Sequence, residues 1–157
     1  MRNTAFVLLF LGFVLPGLGW GQTDSEIIFH PSHEARKQNA PFSDAVQVGN
    51  LYFLAGQVGI DNETRKLVEG GIEAETQQTI ENILAVLEHH GKTLDNVVKC
   101  TVILSDISDF SAFNGVYTQY FVKKPARTTY AAKGLAVNAK IEIEVIAVKK
   151  TYHAKIR

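Results

Sequence analysis

The sequence predicts an α+β domain in which one sheet carries two helices on a single face. Three observations support this. Five stretches alternate apolar and polar residues with period two, two stretches carry an apolar stripe at helical spacing, and the order along the chain is β-β-α-β-α-β-β. Two helices can cover only one face of such a sheet.

The elements can be justified in turn. Residues 22–40 are polar, contain Pro31 and show no sustained periodicity, so they form a lead-in segment with room for a short strand. Ala45 to Val48 is a short strand, Gly49-Asn50 a tight hairpin turn, and Leu51 to Ala55 the return strand. Gly56-Gln57-Val58-Gly59 ends that strand, ahead of a charged loop closed by Gly71. From Glu73 to His90 the period becomes helical, with Ile80, Ile83, Leu84 and Leu87 as the stripe. Glu73 and Glu75 make its first turn acidic, and Gly91 is the C-terminal cap. Asn96 to Leu104 returns to period two, with Val98, Cys100, Val102 and Leu104 on one face. A second helix, capped by Ser108 or Asp109, carries Phe110, Phe113, Tyr117, Tyr120 and Phe121. Pro125 stops it and imposes extended geometry on Lys124. Arg127 to Ala132 and Lys140 to Val148 are the last two strands.

Composition narrows the function classes. Lys plus Arg and Asp plus Glu both total 16 in a chain of 157 residues, so no overall field attracts nucleic acid or an anionic membrane. The single cysteine, Cys100, excludes an internal disulfide framework and a multi-cysteine metal site. It lies on the apolar face of its strand and reads as a small buried hydrophobe rather than a nucleophile. His89 and His90 end a helix, where the dipole alone accounts for them. His30 and His33 lack identifiable further ligands, so no metal is expected.

The first 21 residues have the layout of a secretory signal peptide. Arg2 supplies a short positive region, Ala5 to Leu15 is an apolar run broken only by Gly12, and Gly19 and Gly21 flank Trp20 before Gln22. The run is short for a membrane span, although an uncleaved anchor is the alternative. The expected organisation is a leader at 1–21, a lead-in at 22–40 and one domain at 41–153. The mature chain would be exported, periplasmic or secreted, and free of the membrane once the leader is removed.

The last strand raises the question of partners. Ile141, Ile143, Val145 and Ala147 make one wholly apolar face, while Glu142 and Glu144 share the other with Ile146 and Val148. A sheet covered on one side would expose that second face, and such surface marks association. Oligomerisation places Glu142 and Glu144 at or near an interface, where a carboxylate needs pairing or hydrogen bonds. Arg127, at a strand start just after Pro125, is a guanidinium fork suited to a substrate carboxylate. Glu142 could position a water or carry a proton. The residue types alone leave a second account open, an intersubunit ion pair between Arg127 and Glu142 or Glu144.

Four stretches, "PFSDAVQVGNLYFLAGQVG" (41–59), "NVVKCTVILSDISDFSAFNGVYTQYF" (96–121), "PARTTY" (125–130) and "IEIEVIA" (141–147), resemble the RidA (YjgF) family in order and spacing. The resemblance covers the chain from about Pro41 onward. It implies a chorismate-mutase-like α+β fold, a homotrimer with its sheets facing a central barrel, and three clefts between subunits. It also implies cofactor-free hydrolysis of reactive enamine or imine acids, such as 2-aminoacrylate, to 2-keto acids and ammonia.

Carried over by position, Arg127 would hold the substrate carboxylate and Glu142 would handle water or protons. Gly56 would supply the backbone part of the cleft, and Asn114 matches an asparagine of the second helix. Phe42 stands where well-studied deaminases have a tyrosine, Ala55 replaces a serine, and Thr129 replaces a cysteine. Phe42 and Thr129 are therefore expected to line the substrate site with altered chemistry. The leader opens a second reading, an exported trimer that binds small ligands or acts like a chaperone without turnover. Ribonuclease activity, also implied by the family, finds no basic stripe here.

Overall fold

The structure, a computed structural model, describes residues 25–149. The expected leader and the chain beyond 149 lie outside the described residues. Strands are β1 (Ile27–His30), β2 (Ala45–Val48), β3 (Leu51–Val58), β4 (Val97–Leu104), β5 (Ala126–Ala131) and β6 (Ile141–Val148). Helices are α1 (Gly71–His89) and α2 (Phe110–Tyr120). The six strands form one sheet in the order β1-β2-β3-β6-β4-β5. All neighbours are antiparallel except β4 and β5, which are parallel and joined through α2.

The lead-in is more ordered than its sequence suggests, because β1 pairs with β2 from Ile27 opposite Val48 to His30 opposite Ala45. It adds an edge strand ahead of the expected order. The β2–β3 hairpin turns at Gly49, whose φ of 56° suits glycine at the first turn position.

Both helices pack on one face of the sheet, as the periodicities require. Ile80, Ile83 and Leu87 of α1, Phe113 of α2, Val102 and Leu104 of β4, and Ile141 and Ile143 of β6 are fully buried between the layers. Each such side chain contributes about 1.5–3 kcal/mol by leaving water. The stripe of α1 is rotated slightly from expectation: Val86 is buried and Leu84 only partly so. Thr76 and Thr79 share the buried face, and Thr76 satisfies its hydroxyl on the carbonyl of Ile72 at 2.6 Å.

Three other expectations are corrected. In β4 a register shift between Val97 and Lys99 puts Val97 in the core and leaves Val98 exposed, since the extra residue flips the alternation. Asp109 takes the N-cap position of α2, but its side chain makes no cap hydrogen bond. The side chain of Asp106 instead accepts from the N–H of Ser108 at 2.8 Å and opens the 3-10 turn leading into the helix. Lys124 is not extended: its φ is 52°, and its N–H donates to the carbonyl of Phe121 at 3.0 Å in a tight helix exit.

The strand β3 also runs past Ala55, through Gly56 to Val58, with a bulge between Leu54 and Gln57. The carbonyl of Asp44 secures the bulge by accepting from the N–H of Ala55 at 3.0 Å. At its end Gly59 lies so close to α1 that an added Cβ would stand 2.7 Å from the Cα of Glu75. Glu75, itself buried, accepts from the N–H of Lys140 at 2.7 Å and fixes the entry to β6.

Candidate active site

The alternation of the sheet sorts the predicted site residues into two groups. Arg127 lies opposite the buried Cys100 in the β4–β5 register, so it points to the helix-covered side. Its guanidinium carbon stands 4.6 Å from the ring centre of Tyr117, 5.1 Å from Phe113 and 5.7 Å from Phe110. Nη1 donates to Oδ1 of Asn114 at 2.9 Å. Thus the aromatic stripe of α2 is core at Phe113 and Tyr117 and also a cradle for the cation. A cavity of about 480 Å³ opens beside it, lined by Asn114, Tyr117, Phe121, Lys124 and Arg127 among others. Thr129, two residues on, has a buried hydroxyl without a partner among the described residues. Cys100 is buried, as expected, and burial pushes its thiol pKa up.

Glu142 belongs to the other group. Its neighbours Ile141 and Ile143 are fully buried under the helices, so its side chain leaves the opposite face of β6. It lies opposite Val58 of β3 and Ile103 of β4. The bulge in β3 brings Gly56 against it so closely that a Cβ there would collide with Oε1. Burial, and secondarily the charge of Glu144, raises the carboxyl pKa above the ordinary glutamate value. No hydrogen bond or ion pair reaches Glu142 among the described residues, so its oxygens are available. A cavity of about 620 Å³ lies over this carboxyl, lined by Phe42, Ala55, Gly56, Gln57, Asn82 and Glu142 together with residues of the lead-in. Asn82 stiffens the wall by donating to the carbonyls of Val58 and Ile60 at 3.0 and 2.8 Å.

Arg127 and Asn114 therefore sit together, as do Phe42, Gly56 and Glu142, but one chain does not bring the groups into one cavity. Arg127 also makes no ion pair with Glu142 or Glu144 within the chain.

Sequence reasoning missed Arg36, Lys37 and Arg65, which line the larger cavity. They come from the aperiodic lead-in and from the charged loop, where spacing gives no signal. It also treated the histidines as two separate pairs. The fold merges them: His30 stands 4.5 Å from His90 and His33 5.0 Å from His89, ring centre to ring centre. His33 Nδ1 is 3.3 Å from Asp44 Oδ2. Among the described residues, no three or more His, Cys, Asp or Glu are arranged to hold a metal ion.

A single mixed sheet with two helices on one face defines a small chorismate-mutase-like α+β protein, with one cavity beside Arg127 and another beside Glu142. The chain belongs to the RidA/YjgF family: the profile described as Endoribonuclease L-PSP matches residues 33–149. A RutC family protein of Pyrococcus abyssi is 45% identical over 126 residues, covering 80% of this chain and 98% of that protein. The 2-iminobutanoate/2-iminopropanoate deaminase of Capra hircus is 44% identical over 110 residues, 69% of this chain and 80% of that one.

Solved structures agree. A Thermotoga maritima protein superposes with a TM-score of 0.73 at 44% identity, covering 79% of this chain and 98% of its own. The YjgF gene product of E. coli gives 0.71 at 28% identity, covering 78% and 99%. E. coli TdcF, crystallised with bound serine, gives 0.66 at 28% identity, covering 70% and 89%.

Proposed function

We propose that this chain is a hydrolytic deaminase of reactive 2-imino or enamine acids, releasing 2-keto acids and ammonia without a cofactor. The observation that carries the reading is Glu142, a half-buried carboxyl with a raised pKa and free oxygens, pressed against Gly56 in the wall of a large cavity. Relatives named imine deaminases at 43–44% identity support it.

In this mechanism the guanidinium of Arg127 holds the substrate carboxylate, and its aromatic cradle and Asn114 fix the fork beforehand. Glu142 takes a proton from a water as the water oxygen bonds to the imine carbon. That proton passes to nitrogen to give a carbinolamine. The hydroxyl proton then moves to nitrogen through the same carboxyl, the C–N bond breaks, and ammonia leaves as the carbonyl forms. The overall change is one imine and one water to one keto acid and one ammonia. Phe42 removes a hydroxyl from the cavity, so orientation rests on charge and backbone contacts.

Because Arg127 and Glu142 leave opposite sides of one sheet, a site that uses both must draw them from two copies of the chain. We propose the homotrimer, with the exposed Leu51 and Phe53 and the half-exposed Ile146 and Val148 on the buried inner face. The leader at 1–21 would direct export, and amino-terminal sequencing of the secreted chain tests where it is cut.

The deciding experiment mixes two inactive variants, Arg127→Ala and Glu142→Gln, by unfolding and refolding them together. Clefts combining an intact Arg127 from one subunit with an intact Glu142 from the next should return about a quarter of wild-type imine hydrolysis, by random assortment. No recovery in a mixed trimer would sink the shared site. Ligand binding in the cleft without hydrolysis of any imine tested would favour the non-enzymatic reading.

A further inference from the structure

We infer that the substrates are 2-imino acids with a second carboxylate, and that Arg36, Lys37 and Arg65 read that distal charge. This rests on the deaminase reading above and narrows its substrate class.

The larger cavity is divided by charge. Its floor holds the Glu142 carboxyl, against Gly56. Three cations line it from the segments outside the sheet: Arg36 and Lys37 on the lead-in turn, and Arg65 in the loop between β3 and α1. The acidic groups around them do not use up this charge. Glu34 is shared by Lys37 and by Arg65, the latter at 3.4 Å. Asp44 is buried and faces His33 instead. Arg36 has one long contact, from Nη1 to the carbonyl of Glu63 at 3.4 Å, which leaves most of its fork free.

The loop is built to hold Arg65 in place. Arg65 adopts a φ of 62°, a left-handed geometry that glycine takes without strain and arginine does not. The N–H of Arg65 donates to the carbonyl of Asp61 at 2.9 Å, and the N–H of Asp61 to the carbonyl of Lys66 at 2.9 Å. The carboxylate of Asp61 accepts from the N–H groups of Glu63 and Thr64 at 3.1 and 2.6 Å.

Volume supports the same conclusion. About 620 Å³ is within the range of sites for drug-sized ligands and far exceeds what a three-carbon imino acid fills. A substrate with a cationic iminium and a distal carboxylate matches the cavity at both ends: iminium toward Glu142, carboxylate toward the cations. The chemistry is unchanged: water adds to the imine carbon, the C–N bond breaks, and a 2-keto diacid and ammonia leave.

The test compares imines made in situ by amino-acid oxidases from aspartate, glutamate and alanine, with keto-acid formation as the readout. The wild type should favour the acidic imines at least tenfold in kcat/KM, and added salt should erode that preference. Arg36→Gln combined with Arg65→Gln should reduce the acidic-to-neutral ratio at least fivefold, and its melting curve shows whether it folds. A ratio near one in the wild type, or one that salt and the variant leave unmoved, overturns the inference.

Calorimetry with 2-ketoglutarate against 2-ketobutyrate separates this inference from the reading beneath it. Selective, arginine-dependent binding of the diacid with no turnover of any imine retains dicarboxylate recognition and overturns deamination. Turnover of all three imines at similar rates does the reverse. An oligoribonucleotide that displaces the diacid at lower concentration overturns the assignment of the cations.

Discussion

The two cavities of this chain prepare their charges in opposite ways. On the helix-covered side Arg127 is held by three aromatic rings and by Asn114, with a cavity opening beside it. On the open side Glu142 touches a glycine backbone and accepts no hydrogen bond among the described residues. A permanently charged guanidinium loses little by being fixed, because its task is to bind. A carboxyl that must gain and lose a proton is more useful unpaired and partly desolvated. On the proposed function, the difference separates an anchor from a reacting group.

The sharpest test of that contrast is Arg127→Ala, expected to lower kcat/KM for imine hydrolysis by about 10³-fold, the scale of losing a buried charge pair with a ligand carboxylate. Steady-state kinetics on the folded variant measure it. Next comes Glu142→Gln, which keeps the shape and removes the titrating group. It should cost about 10²-fold in kcat with KM little changed. If KM rose instead while kcat held, Glu142 would be a second anchor and the contrast would collapse.

Gly56→Ala is a smaller perturbation of the same region. The new methyl would meet Oε1 of Glu142 and push the carboxyl away, with an expected loss of about tenfold in kcat. Steady-state kinetics on the folded variant check it, and an unchanged kcat would show that the added methyl does not disturb the carboxyl.

The mildest effect is predicted at the histidine cluster. Burial, then the neighbouring His30 and His89, lowers the pKa of His90 to about 4. Lys92 and His33 act in the same direction. The folded chain thus binds fewer protons at His90 than the unfolded chain does between about pH 6.5 and 4. Stability therefore falls as pH drops through that window. After allowance for solvent screening the loss is about 1–2 kcal/mol. Urea titrations at pH 7 and pH 4.5 check it, and His90→Asn should flatten the difference. An unchanged slope in the variant would assign the loss elsewhere.

Much of the fold was legible because each element carried its own period. The helices, the hairpin at Gly49 and the two-faced β6 all follow from local patterns. What escaped was set by contacts distant in sequence. β1 is a strand because β2 offers an open edge, not because residues 27–30 alternate strongly. Val98 was assigned to the core because a bulge leaves no mark on period-two spacing. In the site, Glu142 was visible as a charge in a largely apolar strand and Arg127 as a guanidinium at a strand start after Pro125. Their separation onto two faces follows from register, which a single strand does not disclose. Arg36 and Arg65 were invisible for a simpler reason. Their role depends on where two irregular segments come to rest.

The position of β6 has one more consequence. It is the last strand among the described residues but lies in the middle of the sheet, between β3 and β4. Until residues 141–148 are in place, β1–β3 and β4–β5 are two separate ribbons with raw edges. The closing strand works like a zip fastened from the far end, so no stable half of this molecule precedes the whole. A nascent chain would stay open until residues 141–148 were made, and a truncation before Ile141 should yield an aggregating chain rather than a smaller domain.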